Sequence, residues 1–155
     1  MTQRLSHYDE DGRARMVDVS EKSPTHRTAR ARAFVRMSKE VLEALPRNPK
    51  GNPLEVARIA GIMAAKRTHE LIPLCHPLPL SHADIETLMV EDGIRIESSV
   101  ATTANTGVEM EALTAVSIAA LTIYDMTKAL DKSITIERVE LMEKTGGKSG
   151  HFVRS

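Results

Sequence analysis

"SHADIETLMVEDGIRIESSVATTA", residues 81–104, decides the fold. Two strand-like runs, near 82–90 and 94–103, meet at Glu91–Asp92–Gly93, a turn sequence, so the stretch predicts a β-hairpin. Upstream, "TARARAFVRM" (28–37) alternates charged and apolar residues, as a strand with one wet face does. "SKEVLEAL" follows as a short helix with Ser38 as N-cap. A second helix opens with Asn52 as cap, Pro53 at its first position and Glu55 three residues after the cap, and runs to about residue 68. Downstream of the hairpin, Thr106 and Glu109 have capping-box spacing. The helix behind them, "VEMEALTAVSIAALTIYDMTKAL", extends to about residue 130, roughly 35 Å. Its middle is small and apolar almost all round, which predicts burial on more than one side. "SITIERVEL" is the last strand. From residue 28 the order is β-α-β-β-α-β with one small extra helix. That is the α+β, ferredoxin-like order: an antiparallel sheet with helices on one face. "SHYDEDGRARMVDVS" (6–20) predicts a hairpin turning at Asp11–Gly12. No repeat, linker or low-complexity tract divides residues 1–155, so a single domain is expected.

Lys plus Arg and Asp plus Glu number 21 each, so net charge gives no pull toward nucleic acid or anionic membrane. Aromatic residues are 3% and Trp is absent, which leaves Ala, Leu, Ile, Val and Met to build the core. One Cys permits no internal disulfide and suits a reducing compartment. The N-terminus has no apolar signal region and no run approaches a membrane span of about 20 residues. A soluble cytoplasmic protein is expected.

"LIPLCHPLPLSH" (71–82) gathers three prolines, the lone Cys75 and two histidines. Metal sites space their ligands two to four apart, whereas adjacent residues in an extended segment point to opposite faces. Pro73 and Pro77 favour an extended segment, so Cys75 and His76 are not expected to share an ion, nor His76 to activate Cys75. The stretch reads as a stiff pocket wall with His76 toward a ligand and Cys75 packed as a small apolar residue. On the long helix, Asp125 and Lys128 are three apart and share a face. They make either a surface pair of little energetic weight or, if desolvated, a proton-transfer device. At the other end Glu109 has a capping role and Glu111 has none beyond the helix dipole. Glu111 and Asp125 lie about 21 Å apart along the axis, too far for one small ligand. Two sites, or a symmetric oligomer joining the ends of different chains, would explain both.

Lys50 sits in a tight loop, Lys66 and Arg67 at a helix C-terminus, and Lys144 and Lys148 around a Gly pair. Such charges are usually solvated, yet glycine loops flanked by lysines also hold phosphates. "GGKS" is no Walker A motif, because the first glycine of that pattern would fall on Met142.

Together "MVDVS", "ARIAGIMAAKRTHELIPLCHPLPLSH", "TGVEMEALTAVSIAALTIYDMTKAL" and "KTGGKSG" resemble the cyclic pyranopterin monophosphate synthases, accessory protein C of molybdenum cofactor biosynthesis, from about residue 6 to 152. The resemblance implies a lyase that converts (8S)-3′,8-cyclo-7,8-dihydroguanosine 5′-triphosphate to cyclic pyranopterin monophosphate and pyrophosphate. It implies a homohexamer, a trimer of dimers with sites at a subunit interface. It implies no cofactor or protein-bound metal, apart from Mg²⁺ that could accompany the triphosphate. Carried over by residue, it assigns Asp125, Lys128 and Lys50 to catalysis. It assigns Leu74, Cys75, His76, Met110, Glu111, Arg27, Lys66 and Lys144 to substrate binding. Asn105 and His151 depart from the pattern, which often has a lysine and an acid there. Two other classes share the fold order. A nucleic-acid module would need aromatic residues on the sheet, where Phe34 stands alone. A pterin or nucleotide sensor would bind the triphosphate without releasing pyrophosphate.

Overall fold

The computed structural model describes residues 5–155. Its elements run β1 (Thr25–Arg36), α1 (Lys39–Ala44), α2 (Pro53–Lys66), α3 (Thr68–Leu71), β2 (Leu80–Val90), β3 (Gly93–Ala104), α4 (Glu109–Thr127), β4 (Thr135–Thr145) and β5 (Phe152–Val153). The sheet is antiparallel in the order β2-β3-β1-β4-β5. This is the expected ferredoxin-like α+β order with one short strand added at the β4 edge. The hairpin of residues 81–104 forms as read, with Val90 opposite Gly93.

The period-2 pattern of β1 sets the layers. Ala29, Ala31, Ala33 and Val35 are buried beneath the helices. Arg30, Arg32 and Arg36 lie on the open face, where they pair with Glu97, Glu140 and Glu137 of the flanking strands. Small residues let the helices sit close. Ala57, Ala64 and Ala65 of α2 are buried, as are Ala112, Ala115 and Ala119 of α4. Ile85, Ile94, Ile96 and Ile123 complete the core, each contributing about 1.5–3 kcal/mol by burial.

Cap chemistry held at two helices and failed at a third. Ser38 Oγ accepts from Val41 N–H, and Asn52 Oδ1 accepts from Leu54 N–H and Glu55 N–H. At α4, Val108 occupies the N-cap position and no side chain caps the helix, so the expected Thr106–Glu109 box does not form. Glu109 instead lies 3.8 Å from Lys144, since a lysine on the neighbouring strand competes for the same carboxylate. The expected N-terminal hairpin is reduced to one bridge, Tyr8 with Ala14, around a turn whose N–H groups of Asp11 and Arg13 donate to Asp9 Oδ1. The chain beyond it crosses the mouth of a cleft rather than returning as a strand. The glycine-rich tail is folded: β5 pairs with Glu143–Lys144 of β4.

Candidate functional site

The N-terminal end of α4 forms the floor of a cleft of about 300 Å³. Leu74, Cys75, His76, Met110 and Glu111 all line it, so five of the expected binding residues come together. Pro73 does not keep residues 72–75 extended: the Cys75 N–H donates to the Ile72 carbonyl, closing a turn that brings Cys75 and His76 to the same cleft. Proline at the second position of a turn is favoured by its fixed φ, so Pro73 stiffens a turn here rather than an extended run. His76 Nε2–H donates to the Val17 carbonyl at 2.7 Å, and Asn105 Nδ2 donates to the Val19 carbonyl at 3.4 Å. These two bonds fix the segment around Val17 and Val19, which itself lines the cleft.

Glu111 is 4% exposed and has no cation as a partner among the described residues. Burial raises its carboxyl to about 7, with a small further push from the Glu109 charge against the lowering effect of its own backbone N–H. The same desolvation, and then the negative charge of Glu111, raise the Cys75 thiol. A thiol held protonated is a poor nucleophile, in accord with the packing role expected for it.

A smaller cleft of about 180 Å³ adjoins this one and shares Lys22, Thr106, Gly107 and Glu109 with it. Arg27 and Lys144 line its far side. Arg27 Nε–H donates to the Ala104 carbonyl at 3.1 Å, and no carboxylate pairs with its guanidinium among the described residues. Lys66 stands apart from both linings, exposed on the last turn of α2. Sequence reasoning missed Lys22, which lines both clefts; it lies in the loop "SEKSP", whose composition carries no signal of a site.

The three residues expected to be catalytic meet at the opposite end of α4. Lys128 Nζ donates to Asp125 Oδ1 at 2.9 Å. Lys50 Nζ donates to the Asp125 backbone carbonyl at 3.3 Å. The Lys50 loop is docked there by Asn48, whose Nδ2 donates to the Met126 carbonyl and whose Oδ1 accepts from Lys50 N–H. The Lys128 hydrogen bond and charge, with Lys50 adding, hold the Asp125 carboxyl below its usual range, and Asp125 raises Lys128 in turn. The Asp125 side chain is 61% exposed and that of Lys128 46%. Within one chain the pair is therefore a solvated ion pair, not the desolvated device that proton transfer favours. The two ends of the helix lie about 21 Å apart along its axis.

A model of the MoaC family matches residues 16–147. A cyclic pyranopterin monophosphate synthase from Desulfitobacterium hafniense is 58% identical over 153 residues, which cover 97% of this chain and 94% of that protein. Proteins of the same name from Thermomicrobium roseum and Corynebacterium glutamicum are each 56% identical, over 154 and 151 residues. Those matches cover 97% and 96% of this chain, and 93% and 97% of the relatives.

Proposed function

The chain belongs to the MoaC family, and on that premise we propose how its two half-sites carry out one reaction. The protein is a lyase of molybdenum cofactor biosynthesis. It converts (8S)-3′,8-cyclo-7,8-dihydroguanosine 5′-triphosphate to cyclic pyranopterin monophosphate and releases pyrophosphate. The match at 58% identity across 97% of the chain carries this conclusion.

The chemistry sets the requirements. Closing a cyclic phosphate while pyrophosphate departs needs cations on the triphosphate, which position it and stabilise charge on the leaving group. Arg27 and Lys144 supply them from the smaller cleft, with Lys66 added from outside its lining. Leu74, Cys75, His76 and Met110 form the pocket for the fused rings. Glu111, near neutrality at about 7, can donate or accept a hydrogen bond there. Rebuilding the rings needs several proton transfers, for which Asp125 is base, Lys128 its partner and Lys50 a further donor.

The active unit is a homohexamer, a trimer of dimers, in which Asp125, Lys128 and Lys50 of one chain complete the Glu111 cleft of another. Three observations support this reading: the 21 Å separation, the solvation of the Asp125–Lys128 pair, and an apolar stripe of Val56, Ile59 and Met63 exposed along α2. Covering the pair would remove water and strengthen its electrostatics. No resident cofactor enters the scheme, and any Mg²⁺ travels with the triphosphate as part of the substrate. Among the described residues no helix is long and apolar enough to cross a membrane. With its single cysteine the protein is assigned to the cytoplasm.

The test is pyrophosphate release by the purified protein given the cyclised dihydroguanosine triphosphate, with Asp125→Asn in parallel. Release by wild type and loss in the variant are expected. Binding without release by wild type would leave a sensor in place of an enzyme.

A further inference from the structure

Gly147 has φ +78, in the left-handed region that favours glycine. A methyl group built on its Cα would overlap Arg27 Nη1 and stand 3.0 Å from Cζ and 3.3 Å from Nη2. The guanidinium therefore rests directly on the bare backbone of the loop. Its other edge is fixed by the Nε–H bond to the Ala104 carbonyl. Its terminal amino groups have no carboxylate partner among the described residues, and Arg27 lines both the cleft that holds Lys22 and Lys144 and a wider neighbouring one lined by Lys22, Gly147 and Lys148. The loop is itself anchored. On one side Thr28 and Thr145 hydroxyls bond at 2.5 Å. On the other, β5 pairs with β4 and Arg154 Nε–H donates to the Leu141 carbonyl.

We propose that Gly147 is a positioning residue: its missing side chain is the seat that aims the Arg27 guanidinium at the phosphate groups of the substrate. The inference rests on the reading of the smaller cleft as the phosphate subsite. An alanine here would be accommodated by the far end of Arg27, because that side chain yields more easily than backbone. Relief requires the guanidinium to turn away or to release Ala104. The main loss thus falls on phosphate binding rather than on folding.

Gly150 supplies the control. Its φ is +70, close to that of Gly147, yet a methyl group there meets no atom within 4 Å. Gly150→Ala carries the backbone strain without the overlap.

The experiment compares Gly147→Ala, Gly150→Ala, Arg27→Lys and the double variant Gly147→Ala/Arg27→Lys. It measures tripolyphosphate binding by calorimetry, KM and kcat for pyrophosphate release, and Tm. Gly147→Ala is expected to weaken tripolyphosphate binding and raise KM by about tenfold, the value of one charge-assisted hydrogen bond, with kcat changed less. Gly150→Ala should lower Tm by a similar amount and leave binding unchanged. In the double variant the loss should not exceed that of Arg27→Lys alone. Equal binding losses in the two glycine variants, or additive losses in the double variant, would overturn the proposal. If wild type binds tripolyphosphate with this coupling but releases no pyrophosphate from the substrate, the reaction fails and the seat for Arg27 stands. If wild type turns over and the losses are additive, the seat fails and the reaction stands.

Discussion

The two ends of α4 are opposite in kind. At the N-terminal end Glu111 is buried, uncompensated and titrates near neutrality, under a segment held down by His76 and Asn105. At the C-terminal end Asp125 and Lys128 are exposed, paired and driven apart in pKa. The first is a pocket whose lining comes from one chain. The second is screened by water, which is the wrong medium for the proton transfer proposed for it. Such ends are what the proposed assembly requires, in which one helix serves two sites by halves.

That contrast is broken most directly by mixing chains. Asp125→Asn and Glu111→Ala are each expected to lose at least about 100-fold in kcat, as removal of a transition-state group does. Hexamers reassembled from both variants should regain a fraction of wild-type turnover, because some interfaces then hold two intact halves. No recovery in verified mixed hexamers would place each site within one chain. Lys128→Ala should lower kcat by a comparable factor of about 100 while tripolyphosphate binding stays within about twofold, since the proposal gives the lysine a proton-transfer role and leaves the phosphates to Arg27 and Lys144. A binding loss as large as the kcat loss would reassign it.

A third measurement sharpens the buried end. The folded state raises the Glu111 carboxyl from 4.5 to about 7, so it holds its proton more tightly than the unfolded chain does. The contribution of this group to stability is therefore fully present below about pH 4.5 and is lost as pH rises toward 7, where the buried carboxyl ionises. Glu111→Gln should remove on the order of 2–3 kcal/mol of that penalty, raising Tm relative to wild type at pH 8 and little at pH 5. An equal Tm difference at both pH values would mean that the carboxyl is not desolvated in solution. The smallest effect concerns Cys75. Its raised thiol should react with iodoacetamide more slowly at pH 7.5 than a free cysteine does, and denaturation should restore the ordinary rate.

The fold was legible where the signal was local. The hairpin turn at Glu91–Gly93, the Ser38 and Asn52 caps and the alternation in β1 all depend on residues close in sequence. The Thr106–Glu109 box failed because its acid faces Lys144, thirty-five positions away and invisible to a capping rule. The N-terminal hairpin was legible only as far as its turn: beyond Arg15 the segment's partners are His76 and Asn105, distant side chains that donate to its carbonyls. The candidate site became visible through the family resemblance. Periodicity alone left Asp125–Lys128 divided between a surface pair and a catalytic one, because one chain's pattern carries no information on whether a second chain covers the pair. Lys22 and Gly147 had no local signature at all.

The central place of β1 has a consequence for the growing polypeptide. This strand is made first, yet it pairs with β3 and with β4, reaching from Arg27 to Ala104 and from Arg32 to Glu140, separations of 77 and 108 residues. During synthesis at about 5–20 residues per second its two edges stay open for seconds before either neighbour leaves the ribosome. An arginine at every second position through residues 30–32 and again at 36 keeps that waiting strand charged, so the groups that later pair with carboxylates first guard it against aggregation.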